Sequence, residues 1–205
     1  MSLYADRVLP RILNTTMGFK LFPPLRQRAV EGLEGDVVEI GFGTGHNLPY
    51  VPASVTRIRA VEPSELSVKL ASERIAAAPF PVEIAGLDGQ RLQLPDASAD
   101  AVLCTWSLCT IPDAVAALRE MRRVLKPGGE LHFVEHGRAP DAKVRVWQDR
   151  LTPVQRRLFG GCHLNRDIPA LLAEAGFEVT KLETHYLKGQ PKAFASMYEG
   201  RAVPV

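Results

Sequence analysis

The chain is 205 residues long, 46% hydrophobic and 23% charged, with a formal net charge of +2. These values describe an ordinary globular domain and exclude disordered, collagen-like and disulfide-stapled chains. So small a charge gives no reason to expect a nucleic-acid partner. Cys104, Cys109 and Cys162 are an odd set with no C-x-x-C pair, so neither a disulfide frame nor a zinc motif is expected. There is no apolar run of about 18 residues, and Asp6, Arg7, Pro10 and Arg11 interrupt any signal-peptide core. With reduced cysteines, these features predict a cytoplasmic protein.

Residues 1–34 read as a helical N-terminal cap region broken at Pro23-Pro24. Arg7, Arg11, Lys20, Arg26 and Arg28 gather there. A solvated helix face is the ordinary reading of such a cluster; peripheral contact with an anionic membrane surface or anionic substrate is the other. The rest, 35–205, reads as one domain. "DVVEIG" is a strand rich in β-branched residues, and "RIRAVEP" (57–63) a second that ends on an acid. A helix over 64–78 takes Ser64 as its N-cap. Short strands follow at 81–86 and 99–108. The helix beginning at Pro112 stops at Pro127-Gly128-Gly129, and "ELHFVEH" (130–136) is a fifth strand. Residues 137–166 break the alternation and read as an insertion covering a site. "RDIPALLAEAGF" is a helix with Asp167 as its N-cap. Two final strands are joined by a short "KGQ" turn. The expected fold is α/β: one doubly wound, Rossmann-like, seven-stranded and mostly parallel sheet with an antiparallel C-terminal hairpin.

"VVEIGFGTGHN" (37–47) carries the first chemical signal. Glycines after the first strand of such a sheet let a ligand approach the backbone. The following helix start offers free N–H groups to that ligand. Dinucleotide sites need G-x-G-x-x-G/A, whereas Gly41, Gly43 and Gly45 fall as G-x-G-x-G. An acid two residues ahead, Glu39, makes E-x-G-x-G-x-G, which suits S-adenosylmethionine (SAM). Glu62, ending the second strand, can accept from ribose hydroxyls, a role both cofactors share. Asp88, in the loop after the third strand, can accept from an adenine amino group and so separates SAM from a nicotinamide cofactor.

With "GLDGQRLQLPDASADAVLC" and "LREMRRVLKPGGELHFVEH" in the expected order, the chain resembles the class I SAM-dependent methyltransferases over roughly residues 37 to 199. The group that includes ubiquinone/menaquinone-type C-methyltransferases carries such a loop. "CTWSLCTI" (104–111), "FVEH" (133–136) and "GGCHLNRD" (160–167) resemble the methyltransferase-like thiol S-methyltransferases, whose eukaryotic members carry a hydrophobic N-terminal anchor that is not visible here. The resemblance implies SAM as cofactor, with S-adenosylhomocysteine as product. It implies that Gly41, Phe42, Gly43, Thr44, Gly45, His46 and Asn47 hold the methionine portion, with Glu39 beneath. It further implies that Glu62 takes the ribose with Pro63 beside it, Asp88 and Gly89 take the adenine, and Cys104 and Thr105 face the sulfonium with Trp106 close by.

The methyl of a sulfonium is already activated, so alignment and exclusion of water dominate the chemistry. A small thiol attacks as thiolate, and a pKa of about 8.5 already leaves a few per cent ionised at neutral pH. A strong base is optional. His136, ending the fifth strand, and His163, in the presumed cover, are the catalytic candidates; each is otherwise a structural hydrogen-bonder. The favoured acceptor is a small alkyl thiol. Phosphatidylethanolamine N-methylation, quinone-type C-methylation and a non-catalytic SAM sensor are the alternatives. The histidines show no metal-ligand spacing beyond His132/His136, so no metal site is expected.

Overall fold

A computed structural model describes residues 3–205. Seven strands form one sheet in the order β3-β2-β1-β4-β5-β7-β6. They are β1 (Gly35–Ile40), β2 (Val55–Val61), β3 (Val82–Gly86), β4 (Ala99–Thr105), β5 (Leu125–His136), β6 (Phe177–Tyr186) and β7 (Ser196–Pro204). The first five pair in parallel, and β7 runs antiparallel to both β5 and β6. The chain winds outward from β1 through β2 to β3, then returns to place β4 on the other flank of β1. The crevice at that reversal, beyond the carboxyl ends of β1 and β4, is where open α/β sheets bind ligands.

Among the described residues, eight α-helices flank the sheet: α1 (Leu9–Thr16), α2 (Pro23–Val30), α3 (Glu65–Leu70), α4 (Ser72–Ala77), α5 (Ala114–Val124), α6 (Ala142–Leu158), α7 (Ile168–Glu174) and α8 (Lys192–Ala195). One turn of π-helix, Tyr4–Val8, precedes α1. Strand alternation divides the core between two faces. Val102, Cys104, Leu131 and Phe133 pack with Leu118 and Met121 of α5 and with Ile168 and Leu172 of α7. Val37, Ile58, Leu103 and Val134 pack on the opposite side with Leu25, Ala29 and Val30 of α2. Each such fully buried aliphatic side chain contributes about 1.5–3 kcal/mol.

Five segments differ from the sequence expectation, the first being the helix expected over 64–78, which divides at Ala71 into α3 and α4. α5 starts as expected, with Asp113 accepting from Ala116 N–H at 2.9 Å, but ends at Val124. Pro127 disfavours helix in the residue before it, and the chain enters β5 at Leu125, which pairs with Ala99. β4 stops at Thr105 because Trp106 turns at φ +51°. The link between β6 and β7 contains α8, begun by Pro191 at φ −59°, rather than a bare turn. Residues 137–166, expected to break the α/β alternation, are carried mainly by the 17-residue α6.

Candidate active site

The glycine corner leaves β1 through three left-handed residues: Gly41 at φ +70°, Gly43 at +59° and Gly45 at +75°. Their surroundings differ. A Cβ on Gly41 would lie 1.8 Å from Ser107 Oγ, and one on Gly45 would press on Phe42, Leu48 and Ala71. A Cβ on Gly43 would meet nothing closer than a backbone oxygen at 3.8 Å. Two of the glycines therefore let the protein pack on itself, and only Gly43 borders open space. Phe42 and Thr44 are buried, with Phe42 in the core. His46 does not face that space: its Nε2 lies 2.9 Å from the carbonyl of Asn14, tying the corner to α1, and burial pulls its pKa down.

Beneath the corner, Glu39 Oε1 accepts from Asn47 Nδ2 at 2.7 Å, and the same amide donates to Thr105 Oγ1 at 3.0 Å. Asn47 Oδ1 accepts from Arg26 Nη1 at 2.6 Å. Glu39 Oε2 is buried without a partner. Desolvation is the main reason the Glu39 carboxyl is pushed up to about 7, against the Asn47 hydrogen bond and the Arg26 charge. Such an orphaned buried oxygen calls for a donor. A cationic ligand group entering over Gly43 would supply one, so the corner fits the ammonium end of an amino-acid-bearing cofactor.

Glu62 is 7% exposed and bridges the corner to β2, accepting from Gly43 N–H at 2.8 Å and Ser64 N–H at 2.9 Å. Burial raises its pKa against those two donors. Pro63 beside it is exposed. Asp88 is exposed at the end of β3, with Oδ1 accepting from the backbone and side chain of Gln90. Gly89 sits so close to Ile40 that a Cβ would lie 3.0 Å from its Cγ2. Cys104 and Thr105 cannot face one point, because successive strand residues alternate sides. Thr105 joins the Asn47 network. Cys104 is fully buried in the core below α5, with its sulfur 3.7 Å from Glu135 Oε1, so the expectation that it faces the sulfonium is not met.

The other side of the crevice is built on a buried acid. Glu135 in β5 is fully buried and accepts from Ser107 N–H at 2.7 Å, Leu108 N–H at 2.9 Å and Cys109 N–H at 3.4 Å. It thereby sets the turn that follows β4. His136 Nε2 lies 2.9 Å from Cys162 Sγ, and Cys162 Sγ lies 3.7 Å from Cys109 Sγ. Burial depresses the His136 pKa, but the neighbouring Cys162 and Glu135 outweigh it and the net direction is upward. His163 turns away: Nδ1 lies 3.1 Å from the Cys109 carbonyl, and desolvation lowers its pKa. His136 thus meets the sulfur of Cys162, and His163 the backbone of Cys109. No spacing signal announced that Cys109, His136 and Cys162 would meet, and the expectation of no metal-type cluster is corrected here.

Ser107 and Glu135 escaped the sequence reading, and Arg26, grouped there with the basic cluster of a solvated face, is buried instead. Arg26, 5% exposed, is carried in by α2, and its guanidinium stands 4.8 Å from the Trp106 ring centre. Its pKa falls to about 10 through burial, so it remains charged. Ser107 fills the space Gly41 leaves. Glu135 lies inside the "FVEH" motif, but nothing local showed that its oxygens would organise the loop after β4.

A doubly wound sheet with a reversed seventh strand, a glycine corner after β1 and acids ending β2 and following β3 define the Rossmann-like methyltransferase class. Residues 38–133 match the family model described as "Methyltransferase domain". Human thiol S-methyltransferase TMT1A is 32% identical over 179 residues, covering 84% of this chain and 73% of that protein. Thiol S-methyltransferase TMT1B of Rattus norvegicus is 31% identical, covering 80% and 68%. Demethylmenaquinone methyltransferase of Desulfitobacterium hafniense is 28% identical, covering 73% and 64%. Among solved structures, a SAM-dependent methyltransferase of Thermotoga maritima superimposes with a TM-score of 0.68 at 23% identity, covering 96% and 98%. The [4+2]-cyclase SpnF gives the same TM-score at 20% identity, covering 96% and 81%, and shows that this fold also carries other chemistry. The chain belongs to the SAM-dependent methyltransferase family that includes the thiol S-methyltransferases. It is a SAM-dependent methyltransferase, and its cofactor is SAM.

Proposed function

We propose that the methyl acceptor is a small alkyl thiol. The observation that carries this reading is the 32% identity to a named thiol S-methyltransferase over 84% of the chain. At 179 residues that match extends well beyond the 38–133 domain segment. When bound, SAM supplies a methyl activated on a sulfonium.

The protein's own residues then bind, orient and exclude water. Glu39 receives the methionine ammonium on Oε2. Gly43 gives the backbone approach, Glu62 holds the ribose and Asp88 the adenine amino group. Arg26 and Trp106 close the crevice with α2, and α6 with the Gly160–Arg166 loop closes the far side. His136, at the carboxyl end of β5, holds its Nε2 2.9 Å from Cys162 Sγ, so the acceptor's proton goes to solvent, as a partly ionised small thiol allows.

The test is S-adenosylhomocysteine release from purified protein across small thiols, amines, phenols and phosphatidylethanolamine vesicles. Turnover with thiols is expected. Release with vesicles alone would replace the thiol reading by a lipid one, and SAM binding without any release would leave a sensor.

One observation supports peripheral membrane contact. Leu3, Val8, Ile12 and Phe19 are exposed at the N-terminus, and Val146, Trp147 and Val154 on α6. Tyr4 Oη donates to the Leu158 carbonyl, and a Cβ on Gly160 would touch Leu9, so the two segments adjoin. Arg7, Arg11, Arg150, Arg156 and Arg157 are exposed among them. An apolar surface rimmed by cations suits an anionic bilayer. Salt-sensitive sedimentation with phosphatidylserine vesicles, lost in Trp147→Glu, is expected; no sedimentation at low salt would overturn it.

A further inference from the structure

We propose that Cys109, His136 and Cys162 form a three-ligand site for a soft or borderline metal ion of the Zn2+ kind, whose fourth position takes a small thiol. The use of that fourth position rests on the thiol-acceptor reading; the metal site itself does not.

The three ligand atoms come from the loop after β4, the tip of β5 and the α6–α7 link, and all lie within 4.8 Å of one another. Both cysteines are free thiols. A tetrahedral ion with metal–sulfur distances near 2.3 Å and metal–nitrogen near 2.0–2.1 Å separates two sulfurs by roughly 3.8 Å and a sulfur from a nitrogen by roughly 3.5 Å. The sulfurs already stand 3.7 Å apart. His136 Nε2 is 2.9 Å from Cys162 Sγ and within 4.8 Å of Cys109 Sγ, so admitting the ion takes a shift of the imidazole away from Cys162 by roughly 0.6 Å and toward roughly 3.5 Å from Cys109.

The ligands are also held. Glu135 fixes the Cys109 backbone, and His163 N–H donates to the Cys109 carbonyl at 2.8 Å. Cys162 N–H donates to the Phe159 carbonyl at 3.1 Å, after a corner that needs positive φ at Gly160 and Gly161. Arg166 ties the two loops together, donating to the carbonyls of Leu108, Ile111 and Pro112.

Ligand chemistry narrows the ion. Two thiolates and a neutral imidazole balance a divalent charge and select Zn2+ or a similarly soft ion over Mg2+ or Ca2+. Three protein ligands, rather than four, leave a position open, as in sites that bind substrate. The cluster lies near the cofactor corner. Ser107, whose Oγ fills the space beside Gly41, is two residues from Cys109, so their Cα atoms are within roughly 7 Å. A thiol entering there would form a metal–sulfur bond and lose its S–H proton to solvent, and would be held as thiolate beside the cofactor corner.

The test begins with the whole chain stripped by a chelator and titrated with Zn2+ against a chromophoric competitor. One equivalent should bind and should protect two of the three cysteines from a thiol reagent. That readout needs no variant and so survives if a substitution fails to fold. Cys162→Ser and His136→Ala should each weaken binding by roughly tenfold or more, and His185→Ala, away from the cluster, should not. In the Co2+-loaded protein, thiolate-to-metal absorption in the near ultraviolet should strengthen on adding 2-mercaptoethanol but not its methyl thioether. Stoichiometric binding with protection supports the site. No binding, or a Cys109–Cys162 disulfide on air oxidation with no metal uptake, overturns it. Binding without a mercaptoethanol response overturns the fourth-position role. Undiminished thiol methylation by metal-free enzyme would do the same while leaving the thiol-acceptor reading intact.

Discussion

Glu39 and Asn47 meet at 2.7 Å, and that single hydrogen bond leaves Glu39 with one buried oxygen unpartnered. The unfolded carboxyl titrates near 4.5, and the folded one is raised to about 7 by burial. Between those values the folded chain keeps a proton that the unfolded chain releases. Stability from this group therefore falls as pH rises through that window and levels off above it. Glu39→Gln should raise the melting temperature of the cofactor-free protein near pH 8, with the gain fading toward pH 5. The full difference is on the order of 3 kcal/mol. SAM affinity should fall in the same variant. Melting curves across pH and calorimetric titration check both, and a pH-independent gap between the two proteins would contradict the assignment.

Arg26 and Arg28 lie on one helix with opposite expectations. Arg26→Met removes the donor to Asn47 and the cation over Trp106, at a cost of about 1–3 kcal/mol. Arg28 pairs with Glu199 at 2.9 Å from a half-exposed position. Arg28→Met should cost under about 1 kcal/mol. Denaturant midpoints measure both, and only Arg26→Met should also weaken SAM binding, by unseating α2.

The glycines separate packing from binding. Gly41→Ala drives a methyl into Ser107 and should destabilise the fold well beyond the roughly 1–2 kcal/mol of a left-handed alanine. Gly43→Ala meets open space, so it should pay only that backbone cost yet lose cofactor affinity. Paired measurements of melting temperature and SAM dissociation constant would reveal the split, and equal affinity losses per unit of stability would refute it.

Asp88→Ala should weaken SAM binding by about 1–3 kcal/mol, the loss of one hydrogen-bond partner for the cofactor. The exposed side chain holds only Gln90, so the melting temperature should hardly move. Wild-type affinity in this variant would remove Asp88 from the adenine site.

Much of the fold was legible in the residues themselves. β-branched runs ending on glycine or an acid marked β1 and β2, and Ser64 and Asp167 cap their helices as expected, while Pro23-Pro24, read as a break, opens α2. These signals are local, because a cap or a strand pattern depends on neighbours within a few positions. The residues of the glycine corner, Glu39 and Glu62 also lie close in sequence, on β1, β2 and the single 3-10 turn between them.

The acceptor side was not legible, and the reason is contact across the sequence. Cys109, His136 and Cys162 sit more than twenty residues apart, and only the parallel pairing of β4 with β5 and the return of α6 bring their side chains within 4.8 Å. Cys104 looked like a lining residue from its place at a strand end; strand alternation turns it into the core instead. Glu135 and Arg26 acquire their roles only where burial strips water from them and leaves a few fixed donors and acceptors, here Ser107, Leu108 and Asn47. Sequence thus determined the sheet and the family. Tertiary packing decided which charges are desolvated and which sulfurs meet, because both depend on groups that share space without sharing a segment.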